Sequence, residues 1–183
     1  MMAFVIGGSG SGKSAYAEDL AVSVSEGKNR KLYYLATMQV RDAWDAKKVE
    51  RHRRLREGRG FLTVEQPTAI QESIKNMQAG EKAVLLECIS TLTANEMFSD
   101  GRKKSEDEVV GKVMEGILAL KEEADDLVIV GSNVFEDGAT YEKMTMEYLR
   151  IMGNINREIA ALAERVVEVV VGIPVVWKGG ERG

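Results

Sequence analysis

The chain has 183 residues, of which 44% are hydrophobic and 30% are charged, a composition typical of a folded globular protein. Its 25 lysines and arginines face 29 aspartates and glutamates, and this net charge of −4 argues against a general nucleic-acid-binding protein. With only Cys88 and His52, one chain cannot form an internal disulfide or a zinc site of His and Cys ligands. We find no membrane-spanning apolar run and no export signal, and we expect one cytoplasmic domain over residues 1–183.

Short apolar runs alternate with longer amphipathic stretches along the chain. The apolar runs predict strands at 3–6, 32–36, 61–64, 83–86, 127–130, 166–171 and 173–177. Helical spacing and helix-start signals predict helices at 13–25, 40–56, 68–77, 89–97, 105–120 and 142–163. Thr68 is the expected N-cap of the third helix, and Ser105 with Glu108 forms a capping-box pattern. Continuous apolar strands separated by helices favour an α/β fold, in which a mostly parallel sheet is covered by helices on both faces.

The strongest motif lies between the first predicted strand and the first predicted helix. It matches G-x-x-x-x-G-K-[ST] throughout and consists of Gly7, Gly8, Ser9, Gly10, Ser11, Gly12, Lys13 and Ser14. Such a loop cradles a phosphate with backbone N–H groups, and the helix that follows presents its positive N-terminus to the same anion. Lys13 is placed for the β- and γ-phosphates and Ser14 for Mg²⁺. We therefore predict a P-loop nucleotide-binding fold.

An acidic residue should lie beside this loop to complete the phosphate site. Glu87 follows the apolar run of the fourth predicted strand, where it could hold Mg²⁺ or a substrate hydroxyl. The alternative is a solvent-exposed acid at a strand end. Asp125 and Asp126 precede their strand and are weaker candidates, and no Asn-Lys-x-Asp motif indicates a preference for guanine.

A basic segment between Lys47 and Arg59 stands out in this acidic protein. It contains Lys47, Lys48, Arg51, Arg53, Arg54, Arg56 and Arg59. Such a run is usually one solvated helix face, but it could also clamp a triphosphate. His52 lies inside it, and the surrounding cations favour the neutral imidazole that a nucleophile requires. Arg56, four residues after His52, is the arginine best placed to share its helix face.

Motifs along nearly the whole chain resemble the bifunctional adenosylcobinamide kinase / adenosylcobinamide-phosphate guanylyltransferase family of cobalamin biosynthesis. After the phosphate loop, the matching stretches are Tyr34-Leu35-Ala36-Thr37, Val49-Glu50-Arg51-His52, Thr63-x-Glu65-x-Pro67 and Glu87-Cys88-Ile89-Ser90 with Asn95. Further matches follow in order at Ser132-Asn133, Gly138, Glu142, Arg150, Gly153, Asn156, Gly172, Pro174 and Lys178.

This resemblance implies two activities: phosphorylation of adenosylcobinamide, and transfer of GMP from GTP to adenosylcobinamide phosphate. In the family, the histidine that matches His52 carries GMP as a phosphoramidate. We expect His52, Lys13 and Glu87 to act in catalysis, with Ser14 and Glu87 holding Mg²⁺. The phosphate loop, Arg56, Glu65 and Glu87 are the expected nucleotide-binding residues for GTP and ATP. The resemblance also implies a homo-oligomer, since trimers are described in the family.

Three positions depart from the family pattern. Gly10 replaces the arginine of the loop, Val134 lies where the family has glutamate, and Ile151 replaces an aspartate. Two other readings stay open at this point: another P-loop small-molecule kinase, which needs no histidine nucleophile, and a nucleotide-binding regulatory protein that transfers nothing. Cys88 is expected to be a buried core residue.

Overall fold

The computed structural model describes residues 1–26, 30–39, 50, 54, 56–99, 101, 104–133 and 142–180. All strands within these residues belong to one mixed sheet. The strands are β1 (Met2–Ile6), β2 (Lys31–Ala36), β3 (Phe61–Glu65), β4 (Lys82–Glu87), β5 (Asp126–Val130), β6 (Arg165–Val170) and β7 (Ile173–Lys178). Their order across the sheet is β3-β2-β4-β5-β1-β6-β7. All pairings are parallel except that of β6 with β7. The predicted mostly parallel sheet is therefore confirmed.

Helices cover both faces of this sheet. They are α1 (Lys13–Ser25), a 3-10 helix (Ile70–Asn76), α2 (Ile89–Phe98), α3 (Glu106–Glu123) and α4 (Lys143–Leu162). Ala17 of α1 shares one core with Val5, whereas Ile155 of α4 shares the other with Phe4. Adjacent strand residues point to opposite faces, so β1 contributes to both cores. No helix within the described ranges has the length and apolar character needed to cross a membrane.

The strand order brings the carboxyl ends of β1, β2 and β4 to one edge of the sheet. Ala36 at the end of β2 pairs with Glu87 at the end of β4, and Glu87 pairs with Val130 on β5. Val130 in turn pairs with Val5 of β1, whose strand leads into the glycine-rich loop. Open α/β sheets bind ligands at this edge. The topology thus places Glu87 two strands from the strand that feeds the loop.

The capping box predicted for α3 is present. The Glu108 backbone N–H donates to Ser105 Oγ at 3.3 Å, and the Ser105 N–H donates to Glu108 Oε2 at 2.8 Å. These reciprocal bonds satisfy two backbone groups that would otherwise have no partner in the first turn. The start of α3 was therefore readable from four consecutive residues.

The predicted cap at Thr68 is wrong. The helix there is a 3-10 helix that starts at Ile70, and its N-cap is Ala69, with a left-handed φ of 47° and no side-chain cap. The Ala69 N–H donates instead to Glu96 Oε1 on α2 at 2.6 Å. A tertiary contact thus binds the backbone where the helix begins. Most of the helix predicted at 40–56 lies outside the described residues, although residues 50, 54 and 56 are helical.

Candidate functional site

The glycine-rich loop joins β1 to α1, as its sequence context predicted. Gly10 and Gly12 have φ angles of 71° and 90°, which other residues rarely adopt. A Cβ at Gly7 would lie 2.6 Å from the Val169 carbonyl oxygen, so the loop packs directly against β6. The Gly172 N–H in the β6–β7 turn donates to the Ser11 carbonyl at 2.8 Å. The turn end of the β6–β7 hairpin thus supports the curvature of the loop.

The first residues of α1 meet the end of β4. Ser14 Oγ donates to Glu87 Oε1 at 2.6 Å, and Tyr34 Oη donates to Glu87 Oε2 at 2.9 Å. Lys13 Nζ donates to the Gly8 carbonyl at 3.0 Å, across its own loop. Burial, reinforced by the adjacent Glu87 charge, raises the pKa of Tyr34 well above its usual value. Tyr34 therefore remains a hydrogen-bond donor that holds the carboxylate in place.

A cleft of about 290 Å³ opens beside these residues. Its walls come from the loop, from the ends of β2, β4 and β5, and from the start of α2. The lining side chains include Lys13, Ser14, Tyr34, Arg56, Glu87, Cys88, Ser90, Thr91 and Ser132. A larger cavity of about 690 Å³ lies beside β3, but no residue of the glycine-rich loop lines it. The smaller cleft is the one with phosphate-binding chemistry.

Arg56 reaches this cleft from the basic segment. It is 6% exposed, and its guanidinium carbon lies 3.4 Å from the centre of the Tyr34 ring, a close cation–π contact. Its Nε and Nη1 have no hydrogen-bond partner among the described residues. Buried cationic donors without partners are unfavourable. An anion bound in the cleft would compensate for this, and the nucleotide role of Arg56 stays a prediction.

Glu18 of α1 is linked to Arg56 through Arg59, whose backbone N–H donates to the Arg56 carbonyl. Glu18 is 6% exposed and accepts a hydrogen bond from Arg59 Nη1 at 3.0 Å. Burial, followed by the negative charge of Glu87, raises the pKa of Glu18, and the nearby Arg59 and Arg56 oppose that rise. Glu18 was not among the residues predicted for this site. Its spacing of four from Ser14, on the same face of α1, was the available signal.

Thr37 and Asn95 organise the end of β4 from behind. The Cys88 N–H donates to Thr37 Oγ1 at 2.9 Å, and that hydroxyl lies 3.1 Å from the Glu87 carbonyl oxygen. Asn95 Nδ2 donates to the carbonyl oxygens of Thr37 at 2.7 Å and of Pro67 at 2.9 Å. These bonds join β2, the segment after β3, and α2. Thr37 and Asn95, which the sequence singled out only as parts of the family motifs, therefore support the cleft without lining it.

The remaining site predictions have different outcomes. Glu65 ends β3 and is exposed; it pairs with Ala36, so it lies two strands from Glu87, about 10 Å away, and does not line the cleft. His52 lies outside the described residues. Cys88 packs against the core but is only partly buried and lines the cleft, so the expectation of a buried core residue is wrong. The roles of Glu65 and His52 stay predictions.

Solved structures with a similar fold include a KaiC-like protein from the archaeon Pyrococcus horikoshii OT3. It aligns with a TM-score of 0.50 at 14% identity, over 91% of this chain and 69% of its own. At such low identity the likeness concerns the fold alone. It agrees with the P-loop α/β fold described above.

Sequence comparisons are more specific. A family model described as cobinamide kinase / cobinamide phosphate guanyltransferase matches residues 3–177. The bifunctional adenosylcobalamin biosynthesis protein CobU of Escherichia coli is 32% identical, over 97% of this chain and 100% of the relative. CobU of Salmonella typhimurium is 30% identical over the same shares, and CobP of Pseudomonas aeruginosa is 26% identical over 98% of each chain. Since the family model spans nearly every residue from β1 to β7, the chain belongs to the cobinamide kinase / cobinamide phosphate guanyltransferase family.

Proposed function

We propose that the protein phosphorylates adenosylcobinamide with ATP or GTP and then transfers GMP from GTP to adenosylcobinamide phosphate. Both reactions belong to nucleotide-loop assembly in cobalamin biosynthesis, which we place in the cytoplasm. The observation that carries this proposal is the contact between Ser14 of the phosphate loop and Glu87, in a chain of this family. The contact joins the loop that grips phosphates to a carboxylate at the sheet edge.

In the phosphorylation step, the loop binds the nucleotide phosphates through its backbone N–H groups and the N-terminus of α1. Lys13 exchanges its contact with the Gly8 carbonyl for the β- and γ-phosphates, and Arg56 supplies further donors. Positioned cations stabilise the charge that develops on the transferred phosphoryl group. The substrate hydroxyl of adenosylcobinamide then takes the γ-phosphoryl group, and the nucleoside diphosphate leaves.

The oxygen donors at the site fit Mg²⁺. Ser14 Oγ and Glu87 Oε1 are hard oxygen ligands that already lie side by side, and magnesium is commonly held by one or two such ligands together with substrate phosphates. Bound there, the ion would offset the negative charge of the phosphates. Tyr34 would fix the other carboxylate oxygen, leaving Oε1 free to turn from Ser14 to the ion.

For guanylyl transfer, we propose that the neutral imidazole of His52 attacks the α-phosphorus of GTP. A P–N bond forms, and the bond to the β-phosphate breaks to release pyrophosphate. An oxygen of adenosylcobinamide phosphate then attacks the same phosphorus, the P–N bond breaks, and His52 is regenerated. This assignment rests on the family resemblance and on the position of His52 within the basic segment.

The test is intact-mass spectrometry after incubation with GTP and Mg²⁺, followed by an assay for both product classes. We expect a GMP adduct on the wild type that is labile in acid, and none on His52→Ala. An adduct that survives in His52→Ala would refute the covalent mechanism. Phosphate transfer to adenosylcobinamide without any adduct would support a kinase alone, and binding without transfer would support a regulatory protein.

We also propose that the protein forms a homo-oligomer, with a trimer as the expected form, through the surface of β7. All six residues of this edge strand are exposed, including Ile173 at 66% and Trp177 at 68%, and the adjoining Val171 is 87% exposed. An apolar edge strand is an aggregation hazard unless it is covered. Light scattering should show an oligomer for the wild type, and Ile173→Asp should shift it towards the monomer. A monomeric wild type would refute this part of the proposal.

A further inference from the structure

A closed set of contacts links two positions of α1 through the basic segment. Starting from Ser14, it runs through Glu87 and Tyr34 to Arg56, whose guanidinium stacks on the Tyr34 ring. It returns to α1 at Glu18, one helical turn after Ser14. The phosphate-binding face of α1 thus meets the end of the basic segment by two independent routes.

Arg59 provides the return route. Its backbone N–H donates to the Arg56 carbonyl at 3.1 Å, so both arginines belong to one tight turn. Its guanidinium spans two neighbouring carboxylates of α1: Nη1 donates to Glu18 Oε2 at 3.0 Å, and Nη2 donates to Asp19 Oδ1. A charged side chain of α1 therefore holds the turn from which Arg56 reaches the cleft.

The two carboxylates that bind Arg59 differ sharply in burial. The side chain of Glu18 is 8% exposed, whereas that of Asp19 is 73% exposed. An exposed ion pair contributes little because water and salt screen it. A charge-assisted hydrogen bond to a buried carboxylate is stronger and more directional, and removing its charge changes the geometry around it. The Glu18 contact is the one able to fix the position of the turn.

We propose that Glu18 is a positioning residue, which holds Arg59 and thereby sets Arg56 against the phosphate cleft. Glu18 does not itself line that cleft, and it acts through Arg59. This inference rests on the proposed function, because it assigns Glu18 a part in the same nucleotide site. It adds a residue that neither the phosphate-loop motif nor the basic segment contains.

The position of His52 in the sequence gives this proposal a selective consequence. Arg56 and Arg59 end the basic segment that carries His52. Loosening the turn should impair guanylylation, which needs both Arg56 and His52 of this segment, more than phosphoryl transfer, to which the segment contributes only Arg56. A residue that merely supports the fold would lower both activities together.

The experiment compares Glu18→Gln, Arg59→Gln and the double variant with wild type, and Asp19→Asn serves as the matched control on the same arginine. We expect each single variant to slow formation of the GMP adduct about tenfold, with the double variant no slower than either, because linked residues are not additive. Phosphoryl transfer should change less than about threefold. Asp19→Asn should behave like the wild type in both assays.

A second double-mutant cycle uses calorimetry to measure the dissociation constant of GTP, a measurement that requires no turnover. We expect Glu18→Gln to weaken GTP binding in the wild type but not in an Arg56→Met background. Additive effects, equal losses in both activities, or an equal defect in Asp19→Asn would overturn the positioning role. A wild type that binds GTP but forms no adduct would contradict the proposed guanylyl transfer, and the calorimetric cycle would still decide on Glu18.

Discussion

Ser14 Oγ lies 2.6 Å from Glu87 Oε1 although 73 positions separate the two residues. Ser14 belongs to a motif that is recognisable in the sequence, whereas Glu87 ends β4, a strand whose place in the sheet the sequence does not specify. Their contact turns a phosphate-binding loop into a site with a fixed carboxylate.

Lys13→Ala should abolish both activities. The variant removes the ammonium group that now contacts the Gly8 carbonyl and that we expect to meet the nucleotide phosphates. Loss of one positioned donor of this kind lowers turnover by about a hundredfold or more. Steady-state assays of both reactions measure the effect, and Lys75→Ala, on the exposed side of the 3-10 helix, is the control. Normal GTP turnover by Lys13→Ala would exclude a phosphate-binding role for this loop.

Glu87→Gln should reduce phosphoryl transfer at least about tenfold while the fold persists. The amide keeps the size of the side chain and can still accept from Tyr34, but it binds Mg²⁺ poorly. Titrating Mg²⁺ in the kinase assay should show a higher requirement in the variant. Glu72→Gln, at a half-exposed position, is the control. An unchanged Mg²⁺ requirement would assign Glu87 a purely structural role.

Arg56→Met should weaken GTP binding without a matching loss of stability. Among the described residues, two nitrogens of the buried guanidinium have no hydrogen-bond partner, and their burial offsets much of the gain from the Tyr34 stack. We expect the dissociation constant of GTP to rise about tenfold or more, since charged hydrogen bonds contribute roughly 1.5–3 kcal/mol. Calorimetry and urea denaturation measure the two effects, with the exposed Arg54→Met as control. A large loss of stability with unchanged GTP affinity would contradict this.

Glu18→Gln should gain stability relative to the wild type as the pH rises. The pKa of Glu18 in the folded protein lies above its ordinary value of 4.5, so the folded state binds more protons than the unfolded state between these two pKa values. The wild type therefore loses unfolding free energy as pH rises through that window, whereas the glutamine does not titrate.

Urea denaturation between about pH 4 and pH 8 measures this difference, a range that starts near an ordinary carboxyl pKa and extends well above it. Glu18→Ala also lacks a titrating group and should show the same slope, offset by its lost packing. A difference between wild type and Glu18→Gln that stays constant with pH would show that the pKa of Glu18 is not raised.

Several elements could be predicted because their causes are local. The capping box at Ser105 depends on four consecutive residues. The glycine-rich loop depends on the positive φ angles of Gly10 and Gly12, which glycine adopts more readily than other residues. The strands follow from runs of apolar residues. Thr68 marks where this approach failed, since the helix starts only at Ile70 and its N-cap residue Ala69 is bound by the side chain of Glu96 on α2.

A parallel α/β sheet, a phosphate loop and a family resemblance could all be predicted from the sequence, since they depend on neighbouring residues and on ordered motifs. The contacts between distant side chains follow instead from the tertiary fold: the strand order brings Glu87 to Ser14, and packing on Tyr34 buries Arg56. It also placed Glu65 two strands from Glu87 and brought Glu18 to Arg59, which lies in the same turn as Arg56. Such contacts depend on strand order and on which side chains share a buried space, and no spacing along the chain encodes either.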